Sequence, residues 1–132
     1  MATIFTKIVN GEIPCHKIAE TSDYLAFLDL HPLKQGHTLA IPKKEVDYIF
    51  DLEDEQLAGL MLFAKGVAKA VEATVSCKRI GVAVIGLEVP HTHIHLVPID
   101  SISDITFGHG TLNVSPEELA TLAAAIRENY EG

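Results

Sequence analysis

The sequence predicts an α+β domain in which helices cover an antiparallel sheet. Three observations carry this: short β-prone runs divided by turn-rich peptides, two long segments whose apolar residues recur every three or four positions, and an element order of helix, three strands, helix, two strands, helix. At 132 residues and 48% hydrophobic, with no repeat, low-complexity tract or long linker, the chain reads as one domain over 1–132 with one core.

The elements follow in order. In "IFTKIVNG" the apolar residues Ile4, Phe5, Ile8 and Val9 share a helical spacing, and Asn10-Gly11 supplies a stop. Extended chain begins at Pro14. "HKIAE", "YLAFLDL" and "HTLAIP", separated by "TSD" and "HPLKQG", read as three antiparallel strands. Asp51 or Asp54 caps the major helix, which carries Leu57, Leu60, Met61, Ala64, Val67, Ala68 and Val71 on one face. "RIGVAVIG" is continuously apolar and β-branched, as in a strand buried on both faces, and "HTHIHLVP", starting from Pro90, is the fifth strand. The C-terminal helix, over 115–131, opens with Ser115 as N-cap, Pro116 at its first position and Glu118 placed for a capping box; Leu119, Leu122, Ala123 and Ile126 face inward.

Charge and composition narrow the function. Ten Lys/Arg against 18 Asp/Glu leave a net charge of −8, without the basic footprint of a nucleic-acid binder, so an anionic substrate must be held locally. Cys15 and Cys77 stand far apart with no ligand spacing and read as half-buried or buried thiols in a reducing compartment. The polar start "MATIFTKIVNGEIP" does not resemble a signal peptide, and no run of about 18 apolar residues is present for a membrane span, so a cytoplasmic protein without membrane contact is expected.

The chemistry concentrates in "PHTHIHLVP". On a strand His91, His93 and His95 share one face, about 7 Å apart, while Thr92, Ile94 and Leu96 take the other. If Ile94 and Leu96 enter the core, the histidines face solvent, a cleft or a partner. Four readings suit them: a histidine-rich surface strand, a zinc site completed by His37 or His109, a pH-sensitive proton relay, or covalent catalysis in which the middle imidazole attacks phosphorus while its neighbours bind the phosphate and supply a proton. The last explains why there are three.

The motif, with its alternating hydrophobic residues and Thr92 as the one loose match, resembles the signature of the histidine triad (HIT) superfamily. "TIFTKIVNGEIP", "YLAFLDLHPLKQGHTLAIPKK" and "GLEVPHTHIHLVPI" resemble, in order, its first helix, its nucleoside-facing strands and its catalytic strand, so the likeness runs from about Ile4 to Ile99. The resemblance implies a HIT-like fold with a five-stranded antiparallel sheet, usually a homodimer joined through the sheet. It also implies a hydrolase or transferase acting at the α-phosphate of a nucleotide conjugate, such as a purine nucleoside phosphoramidate, without a cofactor. His93 is then the nucleophile, His91 and His95 flank it, contacting phosphate or fixing its orientation, and His37 matches a fourth histidine. Asp29 takes the place of a ribose-binding carboxylate, and Ile4, Phe5, Ile8, Phe27 and Leu30 wall the base, a pairing of short acceptor and apolar walls that suits a nucleoside. From the residues alone Asp29 equally suits a turn before His31-Pro32, and Ile4, Ile8 and Phe27 equally suit a core.

The chain departs from the family pattern in three places. Thr3, Thr6 and Glu45 occupy positions where many bacterial members bind a structural zinc together with the first triad histidine, so no metal is expected. The glycine-rich phosphate loop is short, with Gly86 retained, Leu87 in place of a Gln, and Glu88 expected to point off the site although it lies in the phosphate-binding stretch; more of the phosphate's binding then falls to the histidines and backbone N–H groups. A nucleotide-binding regulatory module with little catalysis is the alternative this leaves. The segment "SISDITFGHGTLNVS" lacks the family's tryptophan, and His109 within it reads as a loop residue.

Overall fold

The computed structural model describes residues 2–132; Met1, where the expected domain begins, lies outside the described residues. Helix α1 (Ile4–Val9) is capped by Thr3, whose hydroxyl accepts the Thr6 N–H, and ends at Asn10 and Gly11, the glycine adopting the positive φ of 79° that other residues avoid. Strands β1 (Lys17–Glu20), β2 (Tyr24–Leu28) and β3 (Thr38–Pro42) precede the long helix α2 (Asp54–Thr74). Strands β4 (Arg79–Ala83) and β5 (Ile94–Ile99) and helix α3 (Pro116–Asn129) follow, with 3₁₀ turns at Ile49–Asp51 and Ile102–Ile105. The strands form one antiparallel sheet in the order β1-β2-β3-β5-β4, which is the expected α+β architecture.

Strand alternation divides the side chains between two faces. Ala26, Leu28, Ala40, Ile94 and Leu96 meet Leu60, Phe63, Val67 and Val71 of α2 and Leu119, Ala123 and Ile126 of α3. On the other face Leu25, Phe27, Leu39 and Ile41 pack with Phe5 of α1.

Four local expectations change. Strand β5 starts at Ile94, not near Pro90, because the preceding peptide is used elsewhere: the His91 N–H donates to Val89, and both the N–H and the hydroxyl of Thr92 donate to the Val46 carbonyl. Strand β4 is an edge strand, not one buried on both faces; it has a single neighbour, and Val82 is 54% exposed. In α2, Met61 is exposed while Phe63 and Ala70 are buried, and neither Asp51 nor Asp54 caps it: Glu53 is the N-cap residue and makes no side-chain bond there. In α3, Ser115 does accept the Glu118 N–H, but the Glu118 carboxylate accepts the Ser115 hydroxyl, so only half of the capping box forms.

Candidate functional site

The register of the central strands assembles the site. His95 lies opposite Leu39 in the β3–β5 pair, His37 immediately precedes β3, and Asp29, just after β2, donates its N–H to the His37 carbonyl. Three residues distant in sequence therefore meet at one end of the sheet. A cavity of about 620 Å³ opens there, on the face opposite α2 and α3.

Of the expected residues, Ile4, Phe5, Ile8, Phe27, Asp29, Leu30, His37, Gly86, Glu88, His93 and His95 all line this cavity. Glu88 is thus at its wall rather than off the site. Phe5 and Phe27 are buried and meet edge to face at 5.7 Å, whereas Ile4 and Leu30 are exposed at the rim. Asp29 serves the turn role: one oxygen accepts the His31 N–H at 2.9 Å, and the other, on the cavity side, is 3.7 Å from Nε2 of His37.

His91 is the exception. The three rings do not make an evenly spaced ladder: those of His93 and His95 approach to 4.9 Å, while His91 lies before the regular strand, is fully buried, and is not among the cavity-lining residues.

Hydrogen-bond partners assign the ring protons, because a carbonyl only accepts and a backbone N–H only donates. His93 Nδ1 is 2.7 Å from the His91 carbonyl and so carries the proton, leaving Nε2 with its lone pair. Leu33 donates its N–H to Nδ1 of His37 at 3.0 Å, so His37 is protonated on Nε2 and donates to Nδ1 of His95 at 2.9 Å. Neutral His95 then carries its proton on Nε2. Nε2 of His91 donates to the Pro42 carbonyl at 2.8 Å, and its Nδ1 accepts.

Burial favours the neutral form of three of them, His95, His37 and His91. It drives the pKa of His95 down to about 3, assisted by His37 and His93, and lowers those of His37 and His91, opposed respectively by Asp29 and by the Pro42 carbonyl. Phe107 contributes to that burial: its ring meets His95 at 4.7 Å and His37 at 6.4 Å.

Two groups bear on metal binding. Donor atoms of Asp29, His37 and His95 lie within 4.8 Å of one another. The Leu33 N–H nevertheless places the His37 proton on Nε2, the atom a metal would need, so the trio is arranged as a hydrogen-bond chain. At the zinc positions of the family, Thr3 and Thr6 offer hydroxyls in place of thiolates and Nδ1 of His91 is occupied by the Thr3 hydroxyl at 3.0 Å, a set that does not fit zinc.

Sequence reasoning missed Phe107, Gly108, Thr111, Leu33 and Cys15 in the cavity wall. A lone aromatic in "TFGHG" was the available signal for Phe107, which a Lys34–Asp104 ion pair at 3.6 Å and the Leu112 N–H to Pro32 carbonyl bond help to fasten over the site. His109 is exposed on that loop and is not among the lining residues, as expected.

A family model described as the HIT domain matches residues 10–102. The chain is similar to an adenosine 5′-monophosphoramidase of Schizosaccharomyces pombe, 36% identical over 96% of each protein, and to one of Saccharomyces cerevisiae, 35% identical over 99% of this chain and 84% of the relative. Among solved structures, a Bartonella henselae Hit-like protein involved in cell-cycle regulation superposes with a TM-score of 0.83 at 30% identity, covering 96% of this chain and 95% of that one.

Proposed function

From the premise that the chain belongs to the HIT domain family, we propose that it is a hydrolase or nucleotidyl transferase acting at the α-phosphate of a purine mononucleotide conjugate, with a nucleoside phosphoramidate as the model substrate. The observation that carries this reading is the His93 tautomer: the His91 carbonyl fixes the proton on Nδ1, so the lone pair needed for attack is on Nε2 of a cavity-lining residue.

The chemistry divides into two displacements. Nε2 of His93 bonds to phosphorus as the phosphorus–nitrogen bond to the leaving amine breaks, and the amine nitrogen takes a proton from solvent as it departs. Water then attacks the nucleotidyl-histidine, gives up a proton that restores the balance, and the histidine leaves with its electron pair. His95, neutral and protonated on Nε2, donates a hydrogen bond to the phosphate, and His37 holds it in that tautomer. Asp29 takes the ribose hydroxyls, and Phe5, Phe27, Ile4, Ile8 and Leu30 enclose the base. Gly86 and Glu88 sit at the phosphate loop, and His91 acts through His93 instead of touching phosphate.

Both yeast relatives are named as adenosine monophosphoramidases, which supports an adenine nucleotide and this leaving-group class. The reading extends to a cytoplasmic homodimer joined through the exposed edge of β4. A regulatory nucleotide-binding module is the second reading, favoured by Leu87, which is 88% exposed at the position of the family's amide donor.

One experiment separates the two. Adenosine 5′-phosphoramidate is turned over by the wild-type chain, and His93→Ala abolishes turnover while AMP binding persists; acid-free quenching of the wild type yields a mass increase of one nucleotide on His93. Turnover retained by His93→Ala rejects the nucleophile, and tight AMP binding without turnover in the wild type selects the regulatory reading.

A further inference from the structure

The hydroxyls and carboxylate that fail to make a zinc site are instead hydrogen-bonded to one another and to His91. The Thr3 hydroxyl donates to Nδ1 of His91 at 3.0 Å while accepting the Thr6 N–H at 3.1 Å, and the Thr6 hydroxyl donates to Oε1 of Glu45 at 2.6 Å. The same Glu45 oxygen accepts the Thr3 N–H at 2.9 Å, and the other nitrogen of His91 donates to the Pro42 carbonyl. Longer approaches of the Thr3 hydroxyl to the Thr6 hydroxyl, at 3.4 Å, and of the Thr6 hydroxyl to Nδ1 of His91, at 3.3 Å, close the set, and the Thr3 and His91 side chains are buried.

Three segments are fastened by it: the start of α1, the chain after β3, and the peptide leading into β5. Two of them act on the nucleophile. The His91 carbonyl holds Nδ1–H of His93, and α1 carries Phe5, whose ring lies edge-on to His93 at 5.0 Å and to His91 at 5.8 Å. We propose that Thr3, Thr6, Glu45 and His91 form a metal-free polar clasp that positions His93 and the Phe5 wall of the cavity. These are positioning residues; none of them is required to touch the substrate. The inference rests on the catalytic reading above for its kinetic consequence only.

Imidazole ¹⁵N NMR tests the clasp independently of substrate. The wild type shows His93 as a single Nδ1–H tautomer and His91 as a single Nε2–H tautomer; Thr3→Val/Thr6→Val and Glu45→Ala give mixed tautomers at His93. With adenosine 5′-phosphoramidate the same variants lose about tenfold in kcat/KM with a raised KM, as expected for the loss of one to two hydrogen bonds. Glu45→Gln, which keeps the accepting oxygen, stays within about twofold of the wild type. Ile126→Val, a core change in α3, lowers Tm without altering kcat/KM, which separates positioning from general stability. If the double variant does not fold, Thr6→Val alone gives the same shift in smaller degree. Wild-type tautomers in the clasp variants would overturn the proposal. A wild type inactive on the phosphoramidate counts against the catalytic reading, and the NMR result then decides the clasp alone.

Discussion

At the scale of single residues, the site depends on which nitrogen of each histidine holds a proton, and backbone groups make that choice. The Leu33 N–H sets His37, His37 sets His95, and the His91 carbonyl sets His93. His37→Phe removes the donor to His95 while keeping a flat ring. The expected result is a drop in kcat of about tenfold, the worth of a buried hydrogen bond, with KM little changed. Because His37 helps to depress the pKa of His95 after burial has done most, the His95 pKa rises from about 3 in this variant, which an NMR titration reads directly. The histidine motif and the Asp29 and His37 positions were legible in the sequence because alternation and family spacing are local patterns. The departure of His91 from the ladder was not, since it follows from Thr92 bonding to Val46, a partner 46 residues away.

At the scale of elements, helix and strand existence follows from periodicity and caps, while boundaries and faces follow from neighbours. Gly59 illustrates this. Within α2 an alanine would raise helix propensity by about 1 kcal/mol. Its Cβ would, however, overlap the Tyr24 hydroxyl and come within 3.0 Å of the adjoining ring carbon. That ring is stacked on Phe63 at 5.6 Å, and its hydroxyl donates to the Gln56 carbonyl at 3.0 Å, so it cannot simply swing away. Gly59→Ala is therefore expected to lower stability, net, by about 1–2 kcal/mol in urea unfolding, overpacking outweighing propensity. At α3 the direction is conventional: Ser115→Ala removes the acceptor of the Glu118 N–H and costs about 1 kcal/mol. The edge position of β4 escaped the sequence because "RIGVAVIG" is as apolar as a central strand; only the pairing order shows that, among the described residues, no second strand pairs with it.

At the scale of the whole molecule, burying neutral histidines links stability to pH. The folded pKa of His95 lies well below its ordinary value, so as pH falls from about 6.5 toward 3 the unfolded chain takes up a proton that the folded chain does not. His37 and His91, shifted in the same direction by burial, add to the effect. Stability is thus fully present above about pH 6.5 and declines through this window, so the urea midpoint falls between pH 7 and pH 4.5. His95→Asn flattens that decline; an unchanged slope would mean that His95 is not held neutral by the fold.

Encoded in the sequence alone were the element order, the alternation that puts Ile94 and Leu96 in the core and His93 and His95 opposite them, the N-cap Ser115 of the last helix, and the membership of the family through its motif. Such features repeat every two or four residues or sit in one peptide, so adjacent side chains encode them. Only the tertiary structure decided that Phe107 covers His95, that Leu33 fixes His37, that β4 is an edge, and that Thr3, Thr6 and Glu45 bind His91. These depend on atoms brought within about 5 Å by the path of the chain, between residues from 4 apart, for Leu33 and His37, to 88 apart, for Thr3 and His91, where the decisive quantity is the direction of a hydrogen bond or the reach of a ring, and no periodic pattern in the sequence specifies it.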